Sequence, residues 1–417
     1  MKNTFFCLTV LMAAPVLADA PSITAASLMQ NPTTRLVTVD YTLAGTSAVV
    51  TVDFQTNGVT IGEANFADVE GDVNCLVTTT GSHRLTWNPA SDGSSFDFAA
   101  LRAVVTAWDV SRPPPYMVVE LGATNVPVRY YVSTNALPGG LLENPVYRTS
   151  SIVMRRIDAK NVTWTMGRGD DAFSVTLDDD YYIGVFELTQ GQYLSVMSSY
   201  ISSYFSRGDC REMRPVEQIN YGGHIRGWQS NYWPNPPDPA MLIGQMRKRT
   251  GVDFDLPGES QWEYACRAGH YGDLLNDGSS IAEGNLNRLA RWRGNGFVNG
   301  SAAPADTLPD DGGTAIVGSY APNSWGLYDM HGNVWEWVLD GYDSTIKNYG
   351  GKINISSEDN TLTYGGNGVS SRVRRGGSWR DTMLDCRASS RYSAAQSQYF
   401  DYLGLRLVCP VTAKRGN

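Results

Sequence analysis

The chain has 417 residues, of which 42% are hydrophobic and 11% aromatic, a composition typical of folded globular proteins. Its length predicts two or three domains, and its 42 glycines and 20 prolines indicate many turns and few long helices. The net charge of −9 and the lack of a sequence stretch dense in lysine and arginine argue against a nucleic-acid-binding protein.

The first segment of the chain has the pattern of a secretory signal peptide. Lys2 precedes an apolar run, and small residues at Val16 and Ala18 suit cleavage before Asp19. The run is shorter than the ~20 residues that cross a bilayer, so a membrane anchor is the less favoured alternative. We therefore expect an exported protein, periplasmic or secreted, with a signal peptide over residues 1–18 and no stable membrane span.

Six cysteines are present, and Cys7 lies within the signal peptide. In the oxidising compartment expected for an exported protein, at least one disulfide is predicted among the other five. Their odd number leaves one thiol unpaired, and their spacing does not define the pairing.

Residues 22–122 alternate between apolar and polar side chains, which is typical of half-buried strands. The segments RLVTVDYTL and AVVTVDFQTNG are the clearest examples, and the stretches around Trp87 and Trp108 continue the pattern. We predict an antiparallel β-sandwich of immunoglobulin or fibronectin type, with MVVEL at 117–121 as a candidate last strand. No pattern in this segment indicates chemistry, so a spacer or docking role is expected.

A linker is predicted over residues 123–144, followed by a second domain over residues 145–410 that gives the chain an α+β fold class. Two helices are clear there: LTQGQYLSVMSSYI, with Thr189 as its candidate N-cap, and ESQWEYACRAG, which follows Gly258. The second helix has a predicted inward face made of Trp262, Tyr264, Ala265 and Cys266.

Several segments of the second domain resemble, in order, the formylglycine-generating enzyme (sulfatase-modifying factor) family. The most specific are LPGESQWEYACRAG, GLYDMHGNVWEW and RGGSW. The resemblance covers roughly residues 145–410 and leaves the predicted sandwich outside. It implies a loop-rich fold similar to C-type lectins and, for the enzymes, oxidation of a substrate cysteine with oxygen and copper.

The segment GLYDMHGNVWEW places Asp329 and Glu336 around a Gly-Asn turn, where carboxylates and main-chain carbonyls can converge on a hard cation. The resemblance implies Ca²⁺ held by the Asp329 side chain, the Gly332 and Val334 carbonyls, and Glu336. The alternative is that Glu336 pairs with an arginine and Asn333 caps a turn.

Trp335 and Trp337 flank Glu336 and point to opposite faces if the segment is extended. The resemblance implies that Trp335 approaches the active site of the enzymes. The alternative, which we favour, is a buried core role for this tryptophan.

The family's oxidase chemistry depends on two thiolates, because soft sulfur ligands hold Cu(I). In the family, the first thiol stands three residues after the serine of RGGS, and the second stands five residues further on. Counted from Ser378, these positions are Asp381 and Cys386. Since a carboxylate is a hard ligand, copper is not expected here.

Cys386 has two interpretations. It occupies the second thiol position, but CRASSR also resembles a family segment whose cysteine pairs with the one in WEYACRAG, which implies a disulfide between Cys266 and Cys386. A weaker alternative treats Asp381 and Asp385 as an acid/base pair, although nothing in the sequence places a substrate between them.

The sequence thus predicts an exported, calcium-binding, lectin-like family member without oxidase activity, which acts as a binding or scaffold protein for an extracytoplasmic protein or carbohydrate. The loop SNYWPNPPDP at 230–239 offers rings that can stack on a sugar or peptide; the alternative is a proline-stiffened surface turn with its rings packed inward. Two other functions remain open: a formylglycine-generating oxidase that acts on sulfatases, and an enzyme that uses Cys386 alone.

Overall fold

The computed structural model describes residues 20–61, 69–89, 100–122, 128–206, 210–228, 236–271, 275–296, 313–344 and 371–411. The predicted signal peptide and most of the loop SNYWPNPPDP lie outside the described residues. Within these ranges, no helix combines the length and the apolar character needed to cross a membrane.

The N-terminal part contains eight described strands in two sheets. They are β1 (Ser22–Gln30), β2 (Val37–Ala44), β3 (Ala48–Thr56), β4 (Val59–Thr60), β5 (Val69–Gly71), β6 (Cys75–Val77), β7 (Gly81–Trp87) and β8 (Leu101–Asp109). One antiparallel sheet has the order β1-β2-β7-β5. In the other, β3 pairs with β4, β6 and β8.

One apolar core serves both sheets. β2 buries every second residue, as the alternating pattern predicts, and its Val39 and Tyr41 share a cluster with Val50 and Phe54 of β3. Phe54 stacks on Trp87 with ring centroids 4.6 Å apart. Residues of both sheets therefore contribute to one core, while the assignment to immunoglobulin or fibronectin type stays a prediction.

Eleven further described strands follow. They are β9 (Tyr116–Glu120), β10 (Arg129–Tyr131), β11 (Ser151–Ile157), β12 (Val162–Met166), β13 (Phe173–Leu177), β14 (Tyr181–Gly184), β15 (Trp335–Gly341), β16 (Ser371–Arg375), β17 (Arg391–Ala395), β18 (Leu403–Leu405) and β19 (Val408–Pro410). They form a five-stranded sheet β10-β9-β11-β14-β19, a four-stranded sheet β17-β16-β15-β18 and the hairpin β12-β13.

The strand β9 does not continue the N-terminal sheets, in contrast to the sequence-based expectation for MVVEL. It pairs with β10 on one side and with β11 on the other. Three consecutive apolar residues, Met117, Val118 and Val119, are buried there. Burial on both faces is typical of a central strand, whereas a strand with one solvated face alternates.

Four α-helices occur in the described residues: α1 (Gln190–Met197), α2 (Leu242–Thr250), α3 (Glu259–Arg267) and α4 (Glu283–Leu289). α1 and α3 confirm the two predicted helices. Thr189 caps α1, because its hydroxyl accepts from Gln192 N at 3.2 Å and the Gln192 side chain accepts from Thr189 N at 3.0 Å. α1 ends earlier than predicted, at Met197, because Ser198 adopts a left-handed φ of 58°.

The helix α3 packs into an apolar cluster together with residues of β12, β13, β15 and β16. Its predicted inward face is buried as expected: Trp262, Tyr264, Ala265 and Cys266 belong to one apolar cluster. Trp335 and Trp337 of β15 belong to a second, larger apolar cluster. The segment 329–336, which leads into the first two residues of β15, therefore contacts both clusters.

Candidate functional site

The strand β16 ends in a double-glycine turn that positions Ser378 and Asp381. Gly376 and Gly377 have φ values of 102° and 76°, a region that favours glycine. A Cβ atom on Gly377 would lie 2.7 Å from Cys386 Sγ. Glycine is therefore needed at Gly377 both for the turn and for the close packing of Cys386.

Asp381, at the position of the family's first thiol, is a carboxylate fixed by hydrogen bonds. Its Oδ2 accepts from Trp335 Nε1 at 2.8 Å and from Ser378 Oγ. Burial raises its pKa, while these two hydrogen bonds lower it. Trp335 is 1% exposed, so it is both a core residue and a contact of Asp381.

Asp385 hydrogen-bonds to groups other than those around Asp381. Its Oδ1 accepts from Tyr392 OH at 2.9 Å, and its Oδ2 accepts from Thr382 Oγ1 at 2.6 Å. The two carboxylates therefore hold two separate structural contacts, and no hydrogen bond between them supports the acid/base alternative.

No disulfide joins Cys266 and Cys386 in this structure, so their pairing stays a prediction. Cys266 and Cys386 are both present as thiols. Cys266 Sγ lies 3.5 Å from Met330 O, and Cys386 Sγ lies 4.0 Å from Ser378 O, so each sulfur contacts a different carbonyl. Burial raises the pKa of both thiols, and neither has the exposed, electropositive setting of a reactive cysteine.

An arginine surrounded by aromatic rings lies beside Asp381. The Arg374 guanidinium carbon is 5.0 to 5.9 Å from the ring centroids of four residues: Trp335, Tyr392, Phe400 and Tyr402. Trp335 and Tyr392 meet edge to face with centroids 5.2 Å apart. The position that would carry a copper thiolate thus lies in an aromatic and cationic environment.

Glu336, a predicted calcium ligand, is engaged in a buried ion pair. Arg406 Nη2 donates to its Oε1 at 2.9 Å, and Trp262 Nε1 donates to its Oε2 at 2.6 Å. Neither Glu336 nor Arg406 is exposed to solvent. The alternative in which Glu336 pairs with an arginine therefore describes its contacts.

Glu187 is a site residue that the sequence analysis missed. Its two carboxylate oxygens accept from Asn333 Nδ2 at 2.6 Å and from Val334 N at 3.0 Å, so it holds the Gly-Asn turn from within. Burial raises its pKa, and the charges of Asp329 and Glu336 raise it further. The only sequence signal for this role is that Glu187 is a single acidic residue among the apolar residues between β14 and Thr189.

The calcium ligand set fits a cation in part. Asp329 Oδ2 accepts from Gly318 N at 2.7 Å, whereas its Oδ1 is buried without a partner, and burial raises the pKa of this carboxyl to about 6. The three buried carboxylates of Glu187, Asp329 and Glu336 outnumber the two arginines, Arg406 and Arg148, whose charges act on them, an excess of negative charge that a hard cation would offset. To bind Ca²⁺, Glu336 would have to use carboxylate oxygens that already accept hydrogen bonds from Arg406 and Trp262. Within the described residues, no group of three acidic, histidine or cysteine side chains has a metal-binding arrangement as it stands.

His331 has a structural role next to these residues. Its Nε2 accepts from Asn276 N at 3.1 Å, so the proton resides on Nδ1, which donates to Cys386 O at 2.7 Å. Burial lowers its pKa to about 4, so the ring is neutral. The imidazole thereby joins the GLYDMHGNVWEW segment to the segment that carries Cys386.

Glu263 connects three of the motif segments. It accepts from Gly167 N at 2.9 Å, from Arg267 Nε at 2.8 Å and from Arg375. WEYACR, RRGGSW and TMGRGDD therefore meet at one buried carboxylate.

These features define a sheet-rich α+β domain in which the GLYDMHGNVWEW and RGGSW segments meet around buried charges. Residues 153–411 match the family model described as "Sulfatase-modifying factor enzyme 1-like domain". Since the match covers more than half of the chain, the protein belongs to this family of formylglycine-generating enzymes and their relatives.

The chain is similar to active and inactive members. It is 32% identical over 229 residues to the formylglycine-generating enzyme of Mus musculus, covering 48% of this chain and 57% of that protein. It is 32% identical over 224 residues to the inactive C-alpha-formylglycine-generating enzyme 2 of Mus musculus, covering 48% of this chain and 62% of that protein. For the Bos taurus formylglycine-generating enzyme, identity is 31% over 40% of this chain and 41% of that protein. The chain thus spans about half the length of these relatives.

Two solved structures are also similar. Treponema denticola variable protein 1 has a TM-score of 0.44 and 24% identity, covering 62% of this chain and 95% of that one. PvdO from Pseudomonas aeruginosa has a TM-score of 0.45 and 21% identity, covering 62% of this chain and 94% of that one.

Proposed function

We propose that the protein is an exported binding member of the family that lacks the oxidase reaction. The observation that carries this proposal is which residues occupy the two thiol positions and how they are buried. Asp381 is a carboxylate fixed by Ser378 and Trp335, and Cys386 is fully buried with a raised pKa. Without two accessible thiolates, the site has no soft ligand pair for Cu(I).

We further propose a role for the N-terminal sheets and a class of ligand. The N-terminal sheets, as an immunoglobulin- or fibronectin-type module, act as a spacer that displays the second domain. The ligand is an extracytoplasmic protein or carbohydrate, and the aromatic residues near Asp381 support this, since rings such as Tyr392 offer stacking surfaces. The relationship to an inactive enzyme agrees with a binding role.

An aldehyde assay tests the missing oxidase reaction. Incubation with a CxPxR-type peptide, oxygen and Cu(I) should give no formylglycine, as measured by mass spectrometry after aldehyde capture. The variant D381C should remain inactive as well, because Cys386 stays enclosed by Gly377 and Ser378. Aldehyde formation by the unmodified protein would overturn the proposal, and formation by D381C alone would show that Cys386 is accessible, against the burial argument.

Calcium is proposed as a structural ion of this domain. Asp329, the carbonyls of Gly332 and Val334, and Glu336 would hold it, and the ion would supply positive charge beside the buried carboxylates. The unpartnered Oδ1 of Asp329 is the observation that supports it.

Calcium removal gives the corresponding prediction. A chelator should lower the melting temperature, and added Ca²⁺ should restore it, because an ion that binds only the folded state stabilises that state. The variant D329N should lose this response, while D179N, which changes an exposed carboxylate, should keep it. A melting temperature that a chelator leaves unchanged would remove calcium from the proposal.

A further inference from the structure

A cleft with a volume of about 550 Å³ lies next to the segment that carries Asp381 and Cys386. The hairpin β12-β13 forms one wall through Met166 and Phe173, and residues 382–392 form the other. Its volume is within the range of roughly 300–1,000 Å³ that is common for small-molecule sites. We name it the Arg387 cleft, after one of the three arginines in its wall.

Arg387 has an unsatisfied guanidinium N–H in this wall. Its Nε is buried and has no hydrogen-bond partner among the described residues. The two other arginines of the cleft, Arg168 and Arg391, have interaction partners, and Glu259 accepts from Arg391 Nε and Nη2 at 2.8 Å each. A buried donor without a partner costs roughly 1–3 kcal/mol, so an acceptor that reached this Nε from the cleft would remove a cost already present. A guanidinium presents its donors in a planar fork that matches a carboxylate.

The acidic side chains of the cleft, Asp171, Glu263 and Asp385, all have interaction partners. Both oxygens of Asp385 accept hydrogen bonds, from Tyr392 and Thr382. Glu263 lies between the buried guanidinia of Arg267 and Arg375. The local negative charge is therefore offset in part, and Arg387 is available for an incoming anion.

Two tyrosines give the cleft aromatic surfaces, and the Arg391 guanidinium lies over the ring of Tyr342, 4.9 Å from its centroid. Tyr392 is 46% exposed and Tyr342 is 36% exposed, although both line the cavity. Tyr392 is fixed at one end by Asp385 and packs edge to face on Trp335. A rigid ring of this kind can stack on a planar or ring-shaped ligand. Hydroxyl groups of Ser344 and Ser389 add neutral hydrogen-bonding positions.

We propose that the Arg387 cleft binds a small ligand that carries a carboxylate on a six-membered ring. Arg387 pairs with the carboxylate, and Tyr392 with Tyr342 contacts the ring. An acidic sugar and an aromatic acid share this chemistry. The inference rests on the proposed binding function and names its ligand class. The aldehyde assay does not depend on ligand binding in this cleft, so the proposed function and the ligand class can be refuted independently of each other.

The test uses two pairs of probes that differ in the carboxylate: glucuronate against glucose, and benzoate against benzyl alcohol. Binding to the full chain is measured by isothermal titration calorimetry at low salt. One acid should bind at least about tenfold more tightly than its neutral partner, and R387M should lose that difference. R387K should keep part of it, because lysine retains the charge without the fork. The control R380M removes an exposed arginine outside the cleft and should bind normally.

The probe that binds more tightly identifies the source of the ligand. Preference for glucuronate identifies an acidic sugar as the ligand source, and preference for benzoate identifies an aromatic acid. Equal binding of acid and neutral probes overturns the inference, as does unchanged binding by R387M with an unchanged melting temperature. Absence of binding by all four probes at millimolar concentration overturns it as well.

Discussion

Replacing Arg406 with methionine is expected to lower the free energy of unfolding by about 3–5 kcal/mol, because it leaves the buried Glu336 carboxylate without its cation. Arg406 also donates to Gly184 O at 2.9 Å, Val185 O at 3.0 Å and Tyr328 O at 2.8 Å. The variant therefore removes donors from three carbonyls as well as a charge partner from Glu336. Urea denaturation monitored by tryptophan fluorescence measures the change.

Two further variants make this prediction specific. R112M breaks an exposed ion pair between Arg112 and Asp158, at 3.4 Å, and should change stability by less than about 1 kcal/mol. The double variant E336Q/R406M should recover part of the loss, because it removes the unpaired charge as well as the cation. A loss for R406M no larger than for R112M would mean that Glu336 finds another cation or is reached by water.

Replacing Gly332 with alanine is expected to destabilise the protein by about 2–5 kcal/mol, the sum of backbone strain and a steric conflict. Gly332 has a φ of 82°, and a Cβ atom there would lie 2.2 Å from Arg291 O. That carbonyl cannot retreat freely, since it accepts from Asn333 N at 2.7 Å. The change should also displace Gly376, whose carbonyl accepts from Gly332 N at 2.8 Å.

Gly58 provides the matched control for this prediction. Its φ is 77°, but nothing lies within 4 Å of the position of a Cβ atom. G58A should therefore cost only the backbone strain, about 1–2 kcal/mol. The difference between the two variants in denaturant unfolding measures the steric conflict, and equal losses would show that the Gly-Asn turn relaxes around the added methyl group.

The sequence predicted the elements whose pattern is local. Alternation predicted β2, because one face of that strand is buried and the other is not. The cap at Thr189 and the inward face of α3 were predictable for the same reason, since residues three or four positions apart determine both. The expectation that MVVEL would be the last strand of the N-terminal sheets differs from the structure, because this central strand is buried on both faces and does not alternate. Its sheet is determined by pairing with the distant strand at 151–157.

In the site, too, residue identity could be read from the sequence, whereas contacts between distant residues could not. A count from Ser378 was enough to place a carboxylate at the position of the first thiol. It could not show that Trp335 and Ser378 hold that carboxylate, because Trp335 comes from a different strand. Nor could it show the surroundings of Cys266 and Cys386, whose sulfurs contact the carbonyls of Met330 and Ser378.

The sequence by itself determined the family and the loss of the thiol pair, since both depend on residue identity at counted positions. Only the tertiary structure decided which charges are paired. Glu187 and Arg406 lie 219 positions apart and meet around the 329–336 segment, and Arg387 is left without a partner for its Nε in the wall of a cleft. Burial and partner geometry determine the energy of a charged group, and both depend on contacts between residues distant in sequence.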